Sequence, residues 1–165
     1  MKNIKGLVYL MGDNINTDDI VPSHTLTMRN CEDMAQCACE TIDSNFAKVS
    51  KTKNIIVAGE NFGCGSSREE AVTVFQILGI KAIIAKSFSR IYFRNLINLG
   101  IPGITMNWNS ESFSDGDEIE ISINDGFIKN KSKNEIIFFQ KLPDFLTEIL
   151  EEGGILNKLK KTLKT

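Results

Sequence analysis

The stretch Gly59-Glu60-Asn61-Phe62-Gly63-Cys64-Gly65-Ser66-Ser67-Arg68-Glu69-Glu70 constrains this chain more than any other. An apolar run, Ile55-Ile56-Val57-Ala58, leads into it, and Ala71, Val72, Phe75 and Leu78 lead out at helical spacing. The pattern predicts strand, glycine loop, helix. Glycine permits positive φ and a close approach of the backbone to another group. Ser66 to Glu69 and Ser67 to Glu70 both have the S-x-x-E capping-box spacing, which predicts a helix starting at these serines. A helix start offers free N–H groups and a partial positive charge, so the loop suits a carboxylate or a phosphate.

Around this centre the chain alternates. Ile4–Leu10 reads as a strand, and 12–22 as an acidic, turn-rich loop with three Asp and two Asn between Asp13 and Asp19. That loop lacks the glycine and the glutamate of a calcium-binding EF-hand. It is either a loop held by Asx turns or one that presents Thr17 and Asp18 to a site. A helix is expected over Cys31–Glu40, capped by Asn30, followed by a polar connection from Asp43 to Lys53. Gly79 ends the central helix, and Lys81–Ala85 supplies a second apolar strand. Strand, helix and strand with short loops imply a right-handed βαβ unit with parallel pairing. A third helix, Arg90–Leu99, is expected, capped by Ser87 or Ser89 and closed by Gly100 and Pro102, and its apolar coverage predicts extensive burial. Arg90 and Arg94 share one face, read as solvated or ion-paired, with a substrate role as the alternative. Beyond Trp108 the texture turns antiparallel: a period-two strand at Glu118–Ile123, a hairpin signal at Asn124-Asp125-Gly126, and strands near Phe127–Ile128 and Ile136–Phe139. Pro143 and Asp144 open an amphipathic helix closed by Gly153-Gly154, and the lysine-bearing tail reads as frayed. The expectation is an α/β fold with a parallel βαβ core and an added antiparallel section, as one domain over residues 1–165.

Several function classes are excluded by simple counts. A net charge of −2 draws the chain to neither nucleic acid nor an anionic membrane surface. No apolar run has the length of a membrane span, and the N-terminal stretch lacks a signal-peptide pattern, so a cytoplasmic protein is expected. The cysteines, Cys31, Cys37, Cys39 and Cys64, match no zinc or iron–sulfur spacing and read as thiols. With His24 as the only histidine, no histidine-rich metal site can form within this chain. The glycine loop is not a Rossmann fingerprint, because Arg68 stands where the third glycine belongs. It is not a Walker A loop, because no lysine follows Gly65. It also lacks the G-x-S-x-G order of a nucleophile elbow. A small-anion site built on Ser66, Ser67 and Arg68 remains, beside the plain alternative of a capped helix whose arginine pairs with an acid.

Gly59–Ala71 closely resembles the signature of the aconitase-type swivelling domain, in the free-standing form found in small subunits of 3-isopropylmalate dehydratase and their relatives. Gly12–Pro22 is similar to that family's N-terminal loop, Ile83–Asn95 to its third block, and Leu142–Gly154 to its C-terminal helix. The resemblance implies a swivelling β/β/α fold. It also implies a hydro-lyase subunit that interconverts 2-isopropylmalate and 3-isopropylmalate by removing and re-adding water. A [4Fe-4S] cluster is implied on a partner large subunit, with none bound by this chain. By position, Ser66 is the implied base, Ser67 and Arg68 hold substrate carboxylates, and Thr17 and Asp18 order the site.

The family's specificity loop corresponds to Ser23-His24-Thr25-Leu26-Thr27-Met28-Arg29, where this chain departs from the usual Tyr-Leu start. Arg29 resembles the arginine that binds an extra carboxylate in aconitase, with a solvent-facing arginine as the alternative. The loop thus leaves homoaconitate, aconitate and other 2-alkylmalates, such as 2,3-dimethylmalate, open as substrates. Glu70 replaces the family's usual histidine. A non-catalytic carboxylate-binding or regulatory module and an unrelated nucleotide-phosphate binder are the competing classes.

Overall fold

The computed structural model describes residues 1–164. Its organising strand is β1 (Ile4–Leu10), which is paired differently along its two halves. Residues Val8–Leu10 run parallel to β2 (Ile55–Ala58), whereas Ile4–Leu7 run antiparallel to β5 (Glu118–Ser122). With β3 (Ala82–Ala85), β4 (Gly103–Thr105), β6 (Phe127–Asn130) and β7 (Glu135–Phe138), the sheet order is β4-β3-β2-β1-β5-β6-β7. β1 to β4 are mutually parallel, and β5 to β7 form the antiparallel section.

The two apolar runs are explained by burial on both faces. Ile56, Ala58, Ile83 and Ala85 contribute to a core with Val72 and Phe75 of α4 (Glu70–Leu78) and Leu96 of α5 (Arg90–Asn98). Their neighbours Ile55, Val57, Ala82 and Ile84 belong to a second core with Ile119, Ile121 and Ile128 of the antiparallel strands. The order of layers is therefore helices, parallel sheet and antiparallel section, the β/β/α arrangement expected above. Trp108 closes the second core, its Nε1 donating to the Ala58 carbonyl at 2.7 Å.

Several local expectations need correction. The polar connection contains a turn of helix, α3 (Phe46–Val49), because Phe46 is fully buried between Tyr9 and Phe75, at ring-centroid distances of 4.9 and 5.9 Å. The acidic loop contains a one-turn helix, α1 (Thr17–Ile20), capped reciprocally by Asn16 and Asp19. The helix after Asn30, α2 (Cys31–Gln36), ends four residues early as the chain turns towards Cys39, which has φ +56°. α5 leaves Ile91, Arg90 and Arg94 exposed, so it is buried along one side only. After α6 (Asp144–Glu151) the tail forms α7 (Ile155–Thr162), with Lys158 paired to Glu148 at 2.5 Å. No helix is long and apolar enough to cross a membrane.

Candidate active site

Three loops leave the carboxyl ends of β1, β2 and β3 side by side, the place where open parallel sheets bind ligands. Backbone hydrogen bonds zip them together. Gly63 N–H donates to the Ile15 carbonyl and Thr17 N–H to the Cys64 carbonyl, both at 2.8 Å. On the other flank Phe62 N–H donates to the Ser87 carbonyl at 3.0 Å, and Ser89 N–H to the Phe62 carbonyl at 2.9 Å. Side chains complete the junction. Asp13 Oδ1 accepts from Glu60 N–H at 2.7 Å. Ser87 Oγ accepts from Asn61 N–H and donates to Glu60 Oε2, each at 2.7 Å.

Two glycines make this contact possible. Gly63 has φ +78°, and a Cβ there would stand 2.1 Å from Cγ of Tyr92. Gly65 has φ +97°, and its Cβ would fall 2.7 Å from Asn16 Oδ1 and 3.1 Å from Thr17 Oγ1. The close approach anticipated for these glycines is thus to the neighbouring protein loop.

The capping-box expectation fails. α4 starts at Glu70, and neither serine caps it; Glu69 occupies the cap position without a side-chain hydrogen bond. The departure has a chemical consequence. Ser66 and Ser67 are exposed, and neither hydroxyl makes a hydrogen bond among the described residues. Among the described residues, no acceptor meets the backbone N–H groups of Gly65, Ser66, Ser67 and Arg68. Successive unspent N–H donors around a hydroxyl stabilise negative charge on it.

Arg68 and the acidic loop meet beside these serines. Arg68 Nη1 lies 2.8 Å from Asp18 Oδ1, a charge contact whose angle does not make it a hydrogen bond. The Arg68 side chain is 23% exposed, so its guanidinium is held in place while remaining partly open. Thr17 is fully buried, and its Oγ1 has no hydrogen-bond partner among the described residues. Buried polar atoms are rarely left unpaired. Thr17 Oγ1 and Arg68 Nη1 therefore hold donor capacity in reserve at one junction. Asn16 positions it: its side chain accepts from Asp18 N–H at 2.8 Å, and its N–H donates to Asp19 Oδ2 at 2.9 Å.

Thr17, Asp18, Ser66, Ser67 and Arg68 are thus assembled as one group. The Ser23–Arg29 loop is held by other contacts. Ser23–Thr27 form a 3-10 helix in which Thr25 is buried, with its Oγ1 donating to the Pro22 carbonyl at 2.7 Å. Ser23, His24, Leu26, Thr27 and Arg29 are exposed, and Met28 packs partly against the core. His24 pairs with Glu40 at 3.1 Å. No hydrogen bond or ion pair among the described residues joins Ser23–Arg29 to the glycine loop. Ser87, Asn16 and Tyr92 support the site and were missed from the sequence. Asn16 carried a signal as an Asx cap; Tyr92, which packs against Gly63 from α5, carried none.

The cavity beside Ser66, Ser67 and Arg68 is about 20 Å³, room for about one water molecule and no more. A cavity of about 530 Å³ lies between α5 and α6, is mainly apolar and includes none of the assembled residues. Arg68→Lys should raise KM roughly 10-fold or more with a smaller change in kcat, because an ammonium cannot reproduce the planar fork. Steady-state kinetics on the assembled enzyme check this, and an unchanged KM would remove the carboxylate-binding role.

The profile of the aconitase C-terminal domain family matches residues 8–109. The small subunit of an isopropylmalate/citramalate isomerase from Methanocaldococcus jannaschii is 45% identical over 160 residues, 97% of this chain and 95% of that protein. The 3-isopropylmalate dehydratase small subunit 1 of Thermotoga maritima is 45% identical, covering 96% of this chain and 95% of that one. A crystal structure of 3-isopropylmalate dehydratase from Methanocaldococcus jannaschii aligns with a TM-score of 0.90 at 43% identity, over 98% of this chain and 95% of that chain.

Proposed function

Because the chain belongs to the aconitase C-terminal domain family, among the small subunits of 3-isopropylmalate dehydratase, we propose that it is the small subunit of a heteromeric hydro-lyase acting on 2-alkylmalates. The reaction interconverts 2-isopropylmalate and 3-isopropylmalate through an unsaturated intermediate, a step of leucine biosynthesis in the cytoplasm. The observation that carries this reading is Ser66, exposed among unspent N–H donors and next to an arginine aligned by Asp18.

The cysteines here do not suit an iron–sulfur cluster. Cys39 is enclosed, burial pushes its thiol well up, and no three cysteines converge among the described residues. The partner large subunit therefore carries the [4Fe-4S] cluster in this proposal, which when bound supplies a Lewis acid for the leaving hydroxyl. This chain supplies the opposite wall. Ser66 Oγ takes the proton from the carbon next to a carboxylate and returns it on rehydration. The N–H groups of residues 65–68 stabilise the alkoxide form of Ser66, without which a serine is a poor base. Arg68 and Ser67 grip substrate carboxylates, and Thr17 and Asp18 fix the arginine. Fixing these groups in advance lowers the entropic part of the barrier.

A substrate panel on the complex tests the assignment, using isopropylmalate, citramalate, 2,3-dimethylmalate, homoaconitate and cis-aconitate. The highest kcat/KM is expected for isopropylmalate or citramalate, both named for the Methanocaldococcus jannaschii relative. Arg29→Ala should lower kcat/KM for homoaconitate and cis-aconitate about 10-fold while changing isopropylmalate less than about 3-fold, since only the former carry the extra carboxylate. Equal losses on all substrates would remove Arg29 from specificity, and no turnover with any of them would favour the non-catalytic module.

A further inference from the structure

Away from the glycine loop, three metal-binding side chains of different chemistry converge. His24 comes from the 3-10 helix, Cys37 stands at the end of α2, and Glu40 follows three residues later. One ligand atom of each lies within 4.8 Å of the other two, and His24 Nε2 is 3.1 Å from Glu40 Oε1. No other such group occurs among the described residues, and this one uses the chain's only histidine. The segment from Arg29 to Asn45 carries four carboxylates, Glu32, Asp33, Glu40 and Asp43, against the single cation Arg29, a net acidic stretch that favours a cation.

Tetrahedral bonds of about 2.0–2.3 Å place ligand atoms roughly 3.3–3.7 Å apart. The His24–Glu40 pair is already close to that spacing, and Cys37 comes into range with a side-chain shift of about 1 Å. A thiolate with an imidazole does not suit calcium or magnesium, which take oxygen ligands. It suits zinc and its borderline-soft neighbours. We propose that His24, Cys37 and Glu40 bind one zinc-class divalent ion, with solvent in the fourth position. Cys37 and Glu40 lie on one turn of chain and His24 on another, so the ion fastens the Ser23–Thr27 helix to the end of α2. The site stands independently of the role given to Ser66, because it shares no residue with the glycine loop.

The test titrates the metal-free full-length chain with Co2+ as an absorbing probe and then with Zn2+ as competitor. One equivalent of Co2+ should give a thiolate-to-cobalt charge-transfer band with tetrahedral d–d bands, displaced by one equivalent of Zn2+. Cys37→Ser should abolish the charge-transfer band. Cys37→Ser and His24→Ala should each weaken Zn2+ binding at least 10-fold. His24→Gln, which keeps a hydrogen-bonding side chain facing Glu40, should weaken it equally with unchanged circular dichroism. Absence of the band in the parent chain, its survival in Cys37→Ser, or unchanged Zn2+ affinity in both His24 variants would overturn the proposal.

Discussion

Ser66→Ala in the assembled enzyme is expected to lower kcat by about 10²–10⁴-fold, the usual contribution of a positioned general acid or base. Assembly and thermal stability should be unaffected. Ser66 is exposed, caps no helix and makes no side-chain hydrogen bond among the described residues, so removing its hydroxyl costs the fold nothing identifiable. Surface substitutions of this kind usually change stability by less than about 0.5 kcal/mol. The neighbouring Ser67→Ala variant is the internal comparison. It should act mainly on KM, because the proposed mechanism gives Ser67 a carboxylate to hold and leaves the proton to Ser66. Single-turnover kinetics with size-exclusion chromatography of the complex separate chemistry from assembly. A Ser66→Ala enzyme retaining more than about a tenth of its kcat would remove Ser66 as the base.

Gly63→Ala should damage both stability and activity. The added methyl would lie within 2.6 Å of three atoms of Tyr92. Tyr92 cannot move aside easily: it is 2% exposed, its ring contacts Phe62, and its hydroxyl donates to the Ala71 carbonyl at 2.8 Å. Overpacking of this sort costs about 1–3 kcal/mol, and left-handed backbone adds about 1–2 kcal/mol for a non-glycine residue. A fall in Tm on the order of 10 °C follows for a chain of this size. Two other glycines separate the causes. Gly79→Ala meets the same positive φ with nothing within 4 Å, so it should show the backbone cost alone. Gly12→Ala has neither a positive φ nor a neighbour within 4 Å and should leave Tm nearly unchanged. Equal Tm values for the Gly63 and Gly79 variants would show that contact with Tyr92 does not decide the position. Activity in the Gly63 variant should fall further than stability alone explains, because Ser66 hangs from the displaced loop.

Legibility differed between elements for physical reasons. β2 and β3 could be read because four-residue apolar runs bounded by turn residues have few other uses. The hairpin at Asn124–Gly126 was equally clear, since its turn demands positive φ at Gly126. α3 was hidden because a single aromatic residue, Phe46, pays for it through long-range contacts with Tyr9 and Phe75. α7 was hidden for a similar reason. Its 155–162 stretch is exposed throughout or nearly so, and its ion pair to Glu148 reaches back to α6. The serine capping box was a misreading of a real pattern. Spacing alone cannot tell whether a hydroxyl turns back to its own helix or stays free above it.

By itself the sequence determined the glycine loop, the two hydroxyls and one arginine of a small-anion site, and the alternation that makes the sheet, because composition and spacing limit local backbone choices. The tertiary structure decided what that loop faces. Gly63 and Gly65 bring the backbone against Tyr92, Asn16 and Thr17, residues far away in the chain. That contact sets Asp18 beside Arg68 and leaves Ser66 with free N–H neighbours. It also placed the Ser23–Arg29 loop against Glu40 and not against Arg68, a partnership no local pattern encodes. Long-range contacts depend on which faces are buried together, and that is settled only when the whole sheet has formed.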